Sequence, residues 1–207
     1  GLVLGFNGTN NVGYLPAAGC KIRIPAAILT NCTRTAGSGS GPRVLPNASL
    51  GTRAEFSTGQ GGAIDLNGVV SQWYCNFSTP YSINLSNSIF NDTVLAAELI
   101  GLTISQCIIS PTRAQNGNTP FSASNLLDFS IQDLTVCRFA LSTTNDNIFN
   151  LTYCEDGDVD RVVATLLTDR VASTNAFRFL NNIGVTISDC TQIGARMLTS
   201  GCRRTRI

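Results

Sequence analysis

Acidic residues are concentrated in the segment CEDGDVD, residues 154–160. The carboxylates at positions i, i+2 and i+4 belong to Asp156, Asp158 and Asp160. This spacing opens a calcium-binding EF-hand loop, but that loop then requires a glycine and a glutamate where this chain has Arg161 and Leu167. The sequence therefore excludes an EF-hand. It favours a solvated corner with a glycine turn and no metal, and it leaves a looser calcium site as the alternative.

Histidine is absent from the chain. Its absence excludes a Ser-His-Asp or Cys-His catalytic arrangement within the chain and removes the commonest general base. Eight cysteines are present without a CxxC pair, so we expect no structural zinc. Disulfide scaffolds are normally much smaller domains, and we expect most of these cysteines to be buried free thiols. No cofactor is predicted.

The composition restricts the class of partner. Hydrophobic residues make up 43% of the chain and charged residues 13%, with a net charge of +1. This balance excludes a disordered chain and gives no reason to expect nucleic acid as a partner. No run approaches the roughly 18 apolar residues of a membrane span. The basic segment CRRTRI (202–207) is interpreted as solvated, and the start at Gly1 without methionine indicates a processed chain or a segment of a longer one.

Seven Asn-X-Ser/Thr sequons occur in the sequence. They begin at Asn7, Asn31, Asn47, Asn76, Asn84, Asn91 and Asn150. In a secreted eukaryotic protein they would be glycan acceptors. We interpret them as a consequence of a composition rich in asparagine, serine and threonine.

A short apolar-polar-apolar pattern recurs along the chain, as in GVTISDCTQIG (184–194). Six matches are found at Ile64–Leu66, Ile83–Leu85, Leu102–Ile104, Phe129–Ile131, Val162–Ala164 and Val185–Ile187. Short strands that recur with variable loop lengths indicate a parallel β-solenoid, in which equivalent apolar residues stack inside. Residues 92–101 favour a strand and corner over a short helix.

The repeat divides the chain into two regions. Residues 61–207 are predicted to form about six coils, with insertions at corners over 110–125 and 142–160. In residues 1–60, prolines and glycines interrupt short β-like runs, and this region is predicted to form a cap or coupling segment. We therefore predict an all-β fold.

The repeated segments LTISQC (102–107), FSIQDLTVC (129–137) and VTISDCTQ (185–192) resemble coils of right-handed parallel β-helix proteins of the pectate-lyase-like group. In the N-terminal region, segments 19–35 and 43–68 are similar to parts of bacteriophage tail-fibre or spike proteins. This resemblance implies a structural protein of the virion that works by assembly, with other copies of itself, as a trimer, and with other virion proteins. Attachment to a cell-surface glycan would extend that role.

Enzymes with this fold usually act on polysaccharides, which gives an alternative function. Asp133 and Asp189 fall in one column with Leu166 between them, and two strand spacings separate them by about 9.5 Å. That is the upper limit for an inverting glycosidase. Trp73 and Tyr74 would offer a sugar-stacking surface. A polysaccharide depolymerase, glycosidase or lyase, or a secreted glycan-binding adhesin, therefore stands beside the preferred non-enzymatic structural role.

Overall fold

The computed structural model describes the chain over 11 ranges. They are residues 21–25, 28–29, 43–47, 51–56, 63–68, 70–71, 74–78, 82–111, 119–138, 147–167 and 175–206. Twenty β-strands and no helix lie within these ranges, so the described chain is all-β as predicted. Nothing in these ranges forms a helix long and apolar enough to cross a membrane.

Strands from the first part of the described chain are mostly short. They are β1 (Lys21–Pro25), β2 (Ile28–Leu29), β3 (Arg43–Asn47), β4 (Gly51–Phe56), β5 (Ala63–Asn67), β6 (Val70–Ser71), β7 (Tyr74–Ser78), β8 (Ile83–Ser86), β9 (Ile89–Phe90) and β10 (Val94–Ala97). The strands that follow include the two longest. They are β11 (Leu102–Ile109), β12 (Phe121–Ser124), β13 (Leu127–Arg138), β14 (Asn147–Thr152), β15 (Glu155–Asp160), β16 (Val163–Leu166), β17 (Asn175–Leu180), β18 (Ile183–Ser188), β19 (Thr191–Ile193) and β20 (Arg196–Ser200).

Parallel pairing organises the strands into three sets that the chain visits in turn. Set 1 contains β1, β5, β8, β15, β18 and the first halves of β11 and β13. Set 2 contains β2, β6, β9, β16, β19 and the second halves of β11 and β13. Set 3 contains β4, β7, β10, β12, β14, β17 and β20. Sets 1 and 2 form one 12-stranded sheet because β11 and β13 continue through both, and set 3 belongs to an 8-stranded sheet.

The predicted stacking of apolar residues is confirmed in set 1. We use "column" for residues at equivalent positions of neighbouring strands, or of the turns that follow those strands. One column consists of Leu66, Leu85, Ile104, Ile131, Val159 and Ile187, and each of these side chains is buried. Alternation of side chains along each strand places the next residues outward, where they are polar. Burial of the six apolar side chains removes a continuous apolar stack from water, and this removal is the main favourable term in folding.

One predicted strand is misplaced. Val162–Ala164 does not follow Phe129–Ile131 in set 1, because strand β15 does: Phe129 pairs with Gly157 and Ile131 with Val159. The predicted corner at 142–160 therefore contains strands β14 and β15, and the repeat from Phe129 onward is a regular 28 residues instead of 33 and 23. The segment Val94–Ala97 is a strand, as favoured over a helix.

Gly157 explains why the pattern missed this strand. It lies at the inward position of its column, where the neighbouring strands have Phe129 and Val185. A Cβ at Gly157 would lie 2.3 Å from Cε1 of the Phe129 ring. The ring therefore fills the space of two residues, and the column has no apolar side chain at Gly157 for a pattern to detect.

Substitution of Gly157 by alanine is expected to lower the free energy of unfolding by about 1–3 kcal/mol, because the buried Phe129 ring must move. Chemical denaturation measures this loss. The combined G157A/F129L protein should recover part of it, since the smaller side chain frees space. An equal or additive loss in the combined protein would contradict the contact.

A stack of aromatic side chains fills the interior of set 3. Phe121, Phe149 and Phe177 lie in one column, and Phe179 is adjacent on β17. The ring centroid of Phe149 is 4.9 Å from that of Phe121, 5.5 Å from that of Phe177 and 6.0 Å from that of Phe179. Such separations are typical of favourable aromatic pairs. The three sets thus enclose a common apolar interior.

Asn182, in the turn before β18, is 0% exposed and satisfies buried backbone groups at the end of β14 and in the turn before β15. Its Oδ1 accepts a hydrogen bond from the Cys154 N–H at 2.8 Å, and its Nδ2 donates to the Leu151 carbonyl at 3.2 Å. One amide therefore satisfies a donor and an acceptor that a turn inside the repeat would leave unpaired.

The predicted boundary at residue 60 stays a prediction. Strand β4 lies before it and pairs in parallel with β7, and β1 pairs in parallel with β5. Strands β3 and β4 form an antiparallel pair. Strand pairing therefore continues across residue 60.

Candidate functional site

A column of left-handed residues joins sets 1 and 2, and it contains the predicted acid pair. The column consists of Gly68, Asn87, Gln106, Asp133, Arg161 and Asp189, with φ between 49° and 68°. Glycine and asparagine adopt this conformation most readily. The prediction that Leu166 lies between Asp133 and Asp189 is wrong. Strand β15, which contains Gly157, is the neighbour of β13 in set 1, and the residue between the two aspartates is therefore Arg161. Leu166 instead lies on β16, in register with Arg138.

Arg161 is held by two neighbouring carboxylates. Its Nε donates to Asp133 Oδ1 at 2.7 Å and its Nη2 donates to Asp133 Oδ2 at 3.1 Å. Its Nη1 donates to Asp160 Oδ2, and Asp160 Oδ1 also accepts a hydrogen bond from the Ser188 hydroxyl at 2.7 Å. A bidentate arginine–carboxylate pair is the most directional form of ion pair. The result is a ladder of charges and hydrogen bonds across three strands.

The ladder changes the acidity of its members. The hydrogen bond from Arg161, followed by its charge, lowers the pKa of Asp133 below its ordinary value of 3.8. The hydrogen bond with Asp133 raises the pKa of Arg161, and the charges of Asp133, Asp160 and Asp189 add to this effect. Asp133 is therefore a carboxylate at neutral pH. A general acid would need the opposite shift.

Substitution of Arg161 by glutamine is expected to return the pKa of Asp133 towards 3.8, because the main cause of its depression is removed. A carboxyl whose pKa is lowered by folding stabilises the protein above its unfolded pKa, and this contribution is lost as pH falls through the folded pKa. NMR titration of the Asp133 carboxyl carbon measures the shift, with R178Q, on set 3, as the control. An unchanged Asp133 pKa in R161Q would contradict the ion pair.

The distance between Asp133 and Asp189, and the residue between them, decide whether the two carboxylates suit glycoside hydrolysis. Asp133 and Asp189 are two strands apart, about 10 Å at the usual strand spacing. An inverting glycosidase needs a water molecule and the substrate between its two carboxyl groups. Here that position belongs to the cation of Arg161. The arrangement is suited to holding neighbouring strands together. The catalytic role considered for the pair stays a prediction.

The acidic segment considered for calcium lies on strand β15. Asp156 and Asp158 are exposed and Asp160 is partly buried. The segment predicted as a solvated corner is strand β15, with a left-handed residue at Asp156 (φ 48°). Alternate residues of a strand are about 6.6 Å apart, which spreads the carboxylates. Among the described residues, no group of three or more cysteine, aspartate or glutamate side chains is placed to hold a metal ion.

Trp73 and Tyr74 are the two aromatic residues considered for sugar stacking. Trp73 lies outside the described residues, and Tyr74 is the first residue of β7. Their proposed contact with sugar stays a prediction. The described aromatic side chain with a large exposed fraction is Tyr153, at 59%.

Polar ladders also cross the strands of set 3. Asn150 Nδ2 donates to Ser122 Oγ at 2.9 Å, and Arg178 Nη1 donates to Asn150 Oδ1 at 3.4 Å. In a parallel ladder, Asn175 Nδ2 donates to Asn147 Oδ1 at 2.8 Å. Asn150 begins a sequon, but its amide is bonded and the residue is 8% exposed. This supports a structural origin for that sequon.

Three of the six described cysteines are buried, and the other three are partly buried. Free thiols are found at Cys75, Cys107, Cys137, Cys154, Cys190 and Cys202. Desolvation by burial raises the pKa of both Cys107 and Cys154 to about 11, against an ordinary value of 9.0. It also raises the pKa of Cys137 and Cys190. The thiolate is the reactive form, so these groups are poor nucleophiles.

Alkylation at pH 8 is expected to modify Cys107 and Cys154 at least roughly a hundredfold more slowly in the folded chain than in the denatured chain. The raised pKa reduces the thiolate fraction, and burial excludes the reagent. Peptide mapping after timed iodoacetamide treatment measures each rate. Equal rates in folded and denatured protein would contradict the burial of these thiols.

Comparison of the chain with protein-family models, with curated protein sequences and with solved structures finds no match.

Proposed function

We propose that the chain is a structural protein of the right-handed parallel β-helix class. Parallel pairing in three strand sets, visited in a fixed order, supports this class. Columns of stacked apolar residues inside and polar ladders outside are typical of it. The handedness follows from the rule that connections between parallel strands of one sheet are right-handed in about 98% of cases.

Within this class, the particular function we propose is that of a component of a virus particle. It would be a fibre, spike or decoration protein that acts by assembly with copies of itself and with other virion proteins. Attachment to a cell surface would extend this role. The resemblance of residues 19–35 and 43–68 to segments of bacteriophage tail-fibre or spike proteins, drawn from the sequence alone, is the reason for proposing the virion as its location.

The single observation that carries a structural role over catalysis is the position of Arg161. Asp133 and Asp189, the carboxylates considered for a polysaccharide-degrading enzyme, lie in one column with this guanidinium. The guanidinium donates two hydrogen bonds to Asp133. The same residues serve strand-to-strand cohesion. A structural protein needs such cohesion along the whole stack, whereas a glycosidase needs free carboxyl groups facing a substrate.

Imaging of the native source tests the proposed function. Antibodies raised against the recombinant chain should label purified particles in immunogold electron microscopy and should detect the chain in the particle fraction after density-gradient centrifugation. Detection only outside the particle fraction would overturn the virion assignment.

A reducing-end assay with capsular or pectic polysaccharide tests the enzymatic alternative. We expect no turnover by the purified chain. The matched variants are D133N and D189N, which keep the size of each side chain. Turnover that disappears in both variants would replace the structural role with catalysis by the acid pair.

A further inference from the structure

Acidic and basic residues are segregated on the outer face of set 1. Glu155, Asp156 and Asp158 are exposed on β15. Two strands further along the stack, the chain returns to set 1 with parallel bridges from Arg203 to Ile183 and from Arg206 to Thr186. Three exposed guanidinium groups lie on this returning segment and belong to Arg203, Arg204 and Arg206. The face therefore has an acidic band and a basic band separated by strand β18.

The bands are aligned residue by residue. Glu155 pairs with Ile183, which is bridged to Arg203. In the same way Asp158 pairs with Thr186, which is bridged to Arg206. Each column thus reads acid, uncharged residue, arginine. We call the six charged residues together with the β18 residues between them the charge stripe.

Distance keeps the two bands of one chain apart. Residues two strands apart in a column are separated by about 10 Å between Cα atoms. Within the part of the chain that the structure describes, none of the six charged side chains forms an ion pair inside its own chain. The acidic and basic groups therefore remain available to partners.

Between the bands, strand β18 is uncharged in the columns concerned and has small side chains at two positions. Gly184 has no side chain, and Asp156 Oδ1 lies 2.3 Å from the position that its Cβ would occupy. Thr186 and Ile183 are partly buried. In the column of Asp158, Thr186 leaves β18 uncharged opposite a second surface, whereas the Asp156 carboxylate lies over Gly184.

We propose that the charge stripe binds the charge stripe of a second copy of the chain. Half a turn about an axis parallel to β18 brings the two faces together and reverses the order of the strands in the second copy. Glu155 then faces the partner's Arg203 and Asp158 faces the partner's Arg206, and the converse contacts form on the other side. A two-fold axis makes the surface self-complementary in this way.

This interface is independent of the proposed virus-particle role, because it rests on the strand register and the charges alone. It predicts an association that depends strongly on ionic strength, since its contacts are exposed ion pairs. It also predicts antiparallel packing of the two stacks. A trimeric spike would instead have three chains related by a three-fold axis.

Sedimentation velocity of the purified chain is the first test. At about 0.01 M salt, where the Debye length is about 30 Å, we expect the mass of two chains. At about 1 M salt, where it is about 3 Å, we expect the mass of one chain. A single chain under both conditions would overturn the interface, and so would a mass of three chains.

Charge reversal is the second test. D158R and R206D each place like charges opposite each other in both symmetric contacts, and each should weaken self-association at least about tenfold. E98R is the matched control, because Glu98 is exposed and lies outside the charge stripe. It changes the net charge as D158R does and should leave association unchanged. Equal weakening in E98R would show a net-charge effect and overturn the interface.

Mixing the two reversed proteins is the decisive arm. D158R and R206D, each weakened alone, should associate with each other about as tightly as the unmodified chain, because both contacts regain opposite charges. The D158R/R206D double variant should also associate with itself. Circular dichroism verifies that each variant is folded. A mixture of folded single variants that stays monomeric at about 0.01 M salt would overturn the proposal.

Discussion

Replacement of Phe149 by alanine is expected to lower the free energy of unfolding by about 3–5 kcal/mol. Phe149 is 0% exposed, and its ring contacts the rings of Phe121, Phe177 and Phe179. Truncation removes apolar surface from the interior and leaves a cavity between two strands of set 3. The rigid backbone ladder on both sides limits how far the site can collapse. Urea denaturation followed by tryptophan fluorescence and circular dichroism measures the loss.

Y153A is the matched control for Phe149. Tyr153 is also aromatic and follows the same strand, β14, but it is 59% exposed. Its truncation should change the free energy of unfolding by no more than about 0.5 kcal/mol. Similar losses in F149A and Y153A would show that the aromatic column does not hold the structure together.

Replacement of Asn182 by alanine is expected to lower the free energy of unfolding by about 2–4 kcal/mol. The variant leaves the Cys154 N–H and the Leu151 carbonyl without their side-chain partner in a buried place. Each buried group that loses its partner costs about 1–3 kcal/mol. No apolar substitution can replace this amide, because it supplies both an acceptor and a donor. Thermal unfolding of N182A gives the loss.

The control for Asn182 is N67A. Asn67 is exposed, and its Oδ1 accepts a hydrogen bond from Asn87 Nδ2 at 3.1 Å. Water replaces that bond, so the expected loss is within about 0.5 kcal/mol. A loss in N182A as small as that in N67A would mean that the buried turn finds other partners.

The sequence predicted the stacked interior well because strand periodicity is local. Apolar residues alternate with polar residues in five of the six short segments that the pattern located, and all five belong to set 1. The pattern predicts one stack that contains Leu66, Ile104 and Ile187, and the structure places all three in one column. Parallel strands that recur at similar intervals repeat the same local chemistry, and one sequence is enough to show it.

The failure at Gly157 has a physical cause that the pattern does not contain. The apolar side chain for that inward position comes from Phe129 on the preceding strand. A pattern that requires an apolar residue at each step passes over the glycine and selects Val162, which is also buried. Because the pattern assigned Val162 to the position of Gly157, the repeat lengths after Phe129 were wrong. The 28-residue interval that relates Asp133, Arg161 and Asp189 could therefore not be recognised.

The role of Arg161 was missed for the same reason. Considered as a single residue, it is an ordinary surface charge. Once the register is known, it falls between two carboxylates in a column of left-handed residues. The signal that would have found it is its separation of 28 residues from Asp133, the same as the separation of Ser188 from Asp160.

Successive parts of the chain stack in parallel with one register, which four outward residues of β13 and β15 can test. Ser130 pairs with Asp158, and Gln132 pairs with Asp160. Cα atoms of an in-register pair are about 4.8 Å apart, whereas Ser130 and Asp160 would be separated by about 8 Å. A disulfide bridges Cα atoms up to about 6.8 Å apart.

Oxidation of the S130C/D158C and S130C/D160C proteins, followed by peptide mapping, is therefore the most direct measurement. Both variants keep the same native thiols, so each serves as the control for the other. We expect a disulfide between the introduced cysteines in S130C/D158C and none in S130C/D160C. A disulfide in S130C/D160C alone, or in neither folded variant, would contradict the parallel register on which the fold and the proposed function depend.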